Sequence, residues 1–110
     1  MEPDEIFPLE LKKLLSENPR NFILLDVRQP WENEKVAFPD SGLFPLNRLV
    51  LEKPDLPQDA EIIAYCHHGV RSKTALELLK RHGFKNVKHL AGGIDLYSQT
   101  ADPAVPRYFK

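Results

Sequence analysis

An open α/β sheet of four to five short parallel strands, with helices on both faces, is the fold that this 110-residue sequence predicts. Three observations point to it. Apolar runs of strand length alternate along the chain with stretches whose apolar residues recur at helical spacing. Two of the runs, Phe22-Ile23-Leu24-Leu25 and Glu61-Ile62-Ile63-Ala64-Tyr65, lack polar alternation, as strands covered on both faces do. The ten prolines all fall at or before Pro57 or at Pro103 and Pro106, so residues 58–102 carry no proline to interrupt a strand or helix.

The elements follow in order. Leu11, Leu14 and Leu15 predict a helix over 9–15 behind Pro8, stopped by Asn18-Pro19. Phe22–Leu25 is a strand. Residues 30–58 hold five prolines and read as loops, with an edge strand at Leu43–Leu46 limited by Pro45 and one helical turn near Asn47–Glu52. Glu61–Tyr65 is a second buried strand. Ala75, Leu76, Leu78 and Leu79 form the apolar face of a helix over 72–81, with Gly83 as its C-terminal stop. Val87–Leu90 is a further strand, and a short helix at 94–98 follows Gly92-Gly93.

Composition narrows the function classes. The length suits one domain, 1–110. Fifteen Lys and Arg against sixteen Asp and Glu give a net charge of -1, so binding to nucleic acid through an overall positive field is not expected. No apolar run approaches the ~18 residues of a membrane span. Met1-Glu2-Pro3-Asp4-Glu5 is acidic, unlike a leader, so a cytoplasmic protein is expected. One cysteine, Cys66, excludes an intramolecular disulfide and a two-cysteine zinc site. His67, His68, His82 and His89 are split between one loop and two distant positions, so no metal and no cofactor is expected.

The informative segment is Tyr65-Cys66-His67-His68-Gly69-Val70-Arg71-Ser72-Lys73. It leaves a buried strand and enters a helix, at the sheet edge where ligands bind in open α/β folds. A tight turn through Gly69 directs backbone N–H groups and the positive end of the helix dipole inward, which stabilises a thiolate. No Asp or Glu occurs from Ile62 to Leu76, whereas His67, His68, Arg71 and Lys73 do, so the site is expected to favour anions. A lone cysteine after a strand is ordinarily a small apolar core residue. Two histidines, a glycine and an arginine in the next five positions are poor core material and good anion-site material.

Cys66-His67-His68-Gly69-Val70-Arg71-Ser72 resembles the active-site loop of the single-domain rhodaneses, the thiosulfate sulfurtransferases. The resemblance covers nearly the whole chain. Leu24-Leu25-Asp26-Val27-Arg28-Gln29-Pro30-Trp31-Glu32 is similar to their first motif. Gly83-Phe84, Val87 and Leu90-Ala91-Gly92-Gly93-Ile94 are similar to the segment after the active-site helix. Asp102-Pro103-Ala104-Val105-Pro106-Arg107-Tyr108 resembles the tail of rhodanese domains fused to enzymes that activate sulfur-carrier proteins. One segment departs: many members have Gly-His-Ile-Pro-Gly-Ala where this chain has Val36-Ala37-Phe38-Pro39-Asp40-Ser41, so the motif's His is missing from the region 33–57.

The resemblance implies a sulfurtransferase in which Cys66 attacks the outer sulfur of a small anionic donor such as thiosulfate. The persulfide is held by the N–H groups of His67, His68, Gly69, Val70 and Arg71, then passed to a thiophilic acceptor, cyanide in an assay or a protein thiol. Arg71 would compensate charge on the donor and the leaving sulfite. The histidines either join it or are exposed loop residues. Asp26, Arg28 and Glu32 are expected to be structural support, with Arg28 paired to Asp26 or Glu32. Trp31 reads as packing, His82 as a helix cap and His89 as a strand residue. Three rivals stand beside this reading. A phosphatase of related fold would need Cys-x5-Arg rather than the Cys-x4-Arg found here. A non-catalytic module would lack the cysteine. A relay in cofactor or tRNA thiolation would use the same chemistry with a protein acceptor.

Overall fold

The computed structural model describes residues 4–17 and 20–108. Five strands, β1 (Glu5–Ile6), β2 (Ile23–Asp26), β3 (Gly42–Leu43), β4 (Glu61–Tyr65) and β5 (Asn86–Leu90), form one sheet in the order β1-β5-β4-β2-β3. Every pairing is parallel. The helices are α1 (Pro8–Leu15), α2 (Pro30–Lys35), α3 (Leu46–Leu51), α4 (Val70–Arg81) and α5 (Gly93–Thr100). Among the described residues no helix is long and apolar enough to cross a membrane.

Because successive strand residues point to opposite faces, each buried strand serves two cores. Leu25, Ile62 and Ala64 face α3 and α4, where they meet Leu49, Ala75, Leu76 and Leu79. Leu24, Ile63 and Tyr65 face α1 and α5, where they meet Leu11, Ile94 and Tyr97. That two-sided burial is why the runs lack polar alternation.

Two elements differ from the sequence expectation by their presence. β1 is two residues long and carries no pattern; β5 recruits it, pairing Glu5 with His89 and Ile6 with Leu90. α2 lies in the proline-rich stretch read as loop. Pro30 begins it, where a missing N–H costs nothing, and the Glu32 carboxylate accepts from Gln29 N at 3.2 Å in the manner of a capping box. The edge strand is Gly42–Leu43 rather than Leu43–Leu46, because Pro45 is the N-cap of α3. α4 begins at Val70, and α5 runs to Thr100. α4 closes through Gly83 N to Lys80 O and Phe84 N to Leu79 O. His82 is the C-cap of α4, its backbone N–H donating to Leu78 O at 3.0 Å, and its ring reaches across to α3, with Nε2 2.7 Å from Leu49 O. The expected stop at Asn18-Pro19 lies outside the described residues.

Candidate active site

β4 delivers Cys66 to the C-terminal edge of the sheet's central strand, where the residue is 1% exposed. The chain then reverses into α4 through Gly69, at φ +95°, in the left-handed region open to glycine. This turn brings Gly69 N to 3.1 Å and Ser72 N to 3.3 Å from Cys66 Sγ, and both donate to it. Ser72 stands outside the donor set expected from the loop. A second glycine lets α5 approach. A Cβ on Gly93 (φ +67°) would lie 2.2 Å from His67 O. In that close contact Ile94 N donates to Cys66 O at 2.9 Å and Asp95 N to His67 O at 3.1 Å. The loop's carbonyls are thus tied outward to the start of α5, leaving Gly69 N and Ser72 N to face the sulfur.

Ser72 also carries a support below the loop. Its Oγ donates to Gly69 O at 3.3 Å and lies 2.9 Å from His89 Nδ1. His89 Nε2 is 3.3 Å from Glu5 Oε2. Burial holds the His89 imidazole below its ordinary pKa, against the opposing pull of Glu5.

Arg71 pairs with a carboxylate of α2. Its two terminal nitrogens donate to Glu32 Oε1 and Oε2 at 2.5 and 2.7 Å. Tyr108 Oη donates to Glu32 Oε2 at 2.7 Å. Burial alone would raise the Glu32 pKa, but the bonds from Arg71, Tyr108 and Gln29 hold it down at about 2. The Glu32 partnership raises the Arg71 pKa in turn. Asp95 is paired in the same way: Arg107 Nε and a terminal nitrogen donate to its two oxygens at 2.7 and 3.0 Å. Both carboxylates beside the loop are thus paired with arginines. The acid-free stretch in sequence is neutralised in space by carboxylates from α2 and α5.

Arg28 pairs with Asp26, not Glu32. Both are fully buried; Nε donates to Oδ1 and a terminal nitrogen to Oδ2, each at 2.8 Å. Arg28 also donates to Val36 O at 2.6 Å and to Tyr108 Oη at 3.1 Å, anchoring the segment that departs from the family motif. In that segment Phe38 packs edge-on against Tyr65 and Tyr97, with centroids 4.8 Å apart in each pair. Asp40 sits at φ +62° where the motif has glycine. Trp31 meets the Tyr108 ring edge-on at 6.1 Å. Val70 is 76% exposed, its side chain in solvent.

His67 stacks between His68 at 3.8 Å and Tyr108 at 4.3 Å. Burial and His68 keep its pKa low, against Asp95 and Glu32. Together His67, His68 and Asp95 place three metal-type donor atoms within 4.8 Å. The imidazole planes are only 25° apart, so they do not converge on one ion, and Arg107 already holds both Asp95 oxygens. Cavities of about 390 and 540 Å3 lie on other parts of the surface; neither is lined by Cys66. Ser72, Asp95, Arg107 and Tyr108 are the site residues that sequence reasoning missed. Ser72, Arg107 and Tyr108 lie inside the loop and tail motifs, but no role was assigned to them there, and Asp95 stands in the first turn after Gly92-Gly93.

The chain thus carries a buried cysteine in a glycine-turned loop between the central strand and its helix. The family description "Rhodanese-like domain" matches residues 7–100. The chain belongs to this family. A sulfurtransferase of Allochromatium vinosum is 30% identical to this rhodanese domain over 83 residues, covering 76% of this chain and 78% of that protein. The probable adenylyltransferase/sulfurtransferase MoeZ of Mycobacterium tuberculosis is 35% identical over 105 residues, 94% of this chain. The chain spans about a quarter of the length of that relative. It spans 30% of a rhodanese-like/PpiC domain-containing protein of Arabidopsis thaliana. Among solved structures, the single-domain sulfurtransferase RDL2 of Saccharomyces cerevisiae superposes with a TM-score of 0.78 at 26% identity, over 97% of this chain and 98% of that one.

Proposed function

We propose that this rhodanese domain is a sulfurtransferase that carries a sulfane sulfur on Cys66. The observation that carries the reading is the pair of backbone N–H groups, from Gly69 and Ser72, aimed at Cys66 Sγ at the strand's C-terminal edge. In the first half-reaction the Cys66 thiolate attacks the outer sulfur of thiosulfate or of a persulfide donor. The donor S–S bond breaks, its electron pair leaves on sulfite or on a thiolate, and Cys66 keeps the sulfur as a persulfide. The outer sulfur then passes to cyanide in an assay, or to a thiol in the cell. The likeness to the adenylyltransferase/sulfurtransferase MoeZ over 94% of the chain supports a protein as that acceptor, in a sulfur relay.

Intact mass tests this directly. Thiosulfate or an organic persulfide should add one sulfur to the wild-type chain, cyanide should remove it, and Cys66→Ser should show neither change. Sulfur transfer surviving in Cys66→Ser would overturn the mechanism. Hydrolysis of an aryl phosphate by wild type, lost in Cys66→Ser, would place the domain with phosphatases instead.

A further inference from the structure

Arg71 is the arginine nearest in sequence to the sulfur, and both its terminal nitrogens donate to the Glu32 carboxylate. Glu32 is 3% exposed and takes a further bond from the Tyr108 hydroxyl, so the carboxylate is built in rather than swinging in solvent. On the other side of the loop Asp95 takes Arg107. The formal charges of Glu32, Arg71, Asp95 and Arg107 cancel. A thiosulfate dianion approaching a thiolate there meets two backbone N–H groups and a helix dipole, with no uncompensated guanidinium.

We propose that Glu32 is the residue that selects the charge of the sulfur donor: by neutralising Arg71 it disfavours dianionic donors such as thiosulfate and leaves the site to donors with no more than one charge at the reacting end, such as organic persulfides. The inference rests on the sulfur-transfer reading of Cys66. For a singly charged donor the step balances without a cation. The thiolate's electron pair forms the new S–S bond, the donor's S–S bond breaks onto its leaving group, and total charge is unchanged. Tyr108 supports the selection by fixing the second carboxylate oxygen, so the tail takes part in donor choice.

Two probes separate charge from chemistry. Methanethiosulfonate is thiosulfate with one anionic oxygen replaced by methyl: a monoanion with the same outer sulfur and a sulfinate leaving group. In Glu32→Gln the side chain keeps its shape and still accepts from Arg71, while the guanidinium loses its counter-charge. Relative to methanethiosulfonate, kcat/KM for thiosulfate should rise about tenfold or more in this variant. A ratio unchanged within roughly twofold, with both donors still loading Cys66, would overturn the proposal. If Glu32→Gln does not fold, wild type decides. Its thiosulfate kcat/KM should be flat or rising as salt goes from about 20 to 200 mM, because no net positive site is being screened. A steep fall would show an uncompensated cation and sink the idea. Failure of both donors to load wild-type Cys66 would instead remove the sulfur-transfer reading, and this inference with it.

Discussion

Arg28 and Asp26 are two residues apart in sequence, yet their pairing is made by the fold. Both side chains are fully buried, and the guanidinium meets the carboxylate on two edges. Such a pair is weak as net stabilisation but costly to break, since the survivor is left charged without water. Arg28→Ala should therefore lose about 3–5 kcal/mol in urea unfolding. Arg28→Lys should recover only part, because an ammonium cannot reach Asp26, Val36 O and Tyr108 Oη from one plane. A loss within the range of an exposed pair, under about 1 kcal/mol, would show that water reaches Asp26. The Asp26–Arg28 pair was one of the two partnerships that the local sequence offered Arg28; that Glu32 belongs to Arg71 was not legible there.

At the scale of elements, the site depends on how closely α5 approaches the loop. Ile94 N and Asp95 N reach Cys66 O and His67 O only because Gly93 has no side chain and adopts φ +67°. Gly93→Ala sets a Cβ against backbone and strains its own conformation, so α5 must retreat. The variant should lose about 2 kcal/mol or more of stability, and its Cys66 should load sulfur more slowly than wild type even where it remains folded. Unchanged loading in the folded variant would mean that α5 does not set the loop. The helices with a full apolar face, α1 and α4, were readable from spacing. α2 was not: Trp31 and Glu32 occupy it without an apolar stripe, and its first residue, Pro30, reads equally well as a breaker.

Across the whole molecule, acid should unfold the domain in two stages. His67 and His89 are held below their ordinary pKa, chiefly by burial. The charged groups facing His89 are Glu5 and Asp4, which oppose that shift, and Lys73, which adds to it. Those facing His67 are Asp95 and Glu32, which oppose the shift, and His68 and Arg71, which add to it. A depressed histidine contributes stability that is complete above the unfolded value near ~6.5 and is lost as pH falls through the folded value. Glu32 follows at lower pH. Its folded pKa of about 2 against an ordinary 4.5 gives stability present above 4.5 and lost as pH falls toward 2. That second loss should reach on the order of 2 kcal/mol by pH 3 and should disappear in Glu32→Gln, measured as urea midpoints from about pH 8 to pH 3. A midpoint independent of pH over that range would contradict both assignments.

Local pattern alone determined the interior strands β2, β4 and β5, the helices with apolar faces and the place of Cys66 between β4 and α4. Each of these depends on periodicity, turn residues or chain order within a few residues. What the tertiary structure decided is the electrostatic character of the site. Arg71 is 39 residues from the carboxylate that neutralises it, and Tyr108 is 76 from the same group. His89 supports the loop through Ser72, 17 residues earlier, and reaches Glu5 on a strand too short to show a pattern. Charge counted along a segment cannot include partners that only the sheet order β1-β5-β4-β2-β3 and the helices packed on it bring near. Arg71 therefore reads as an open cation in sequence and is paired in space.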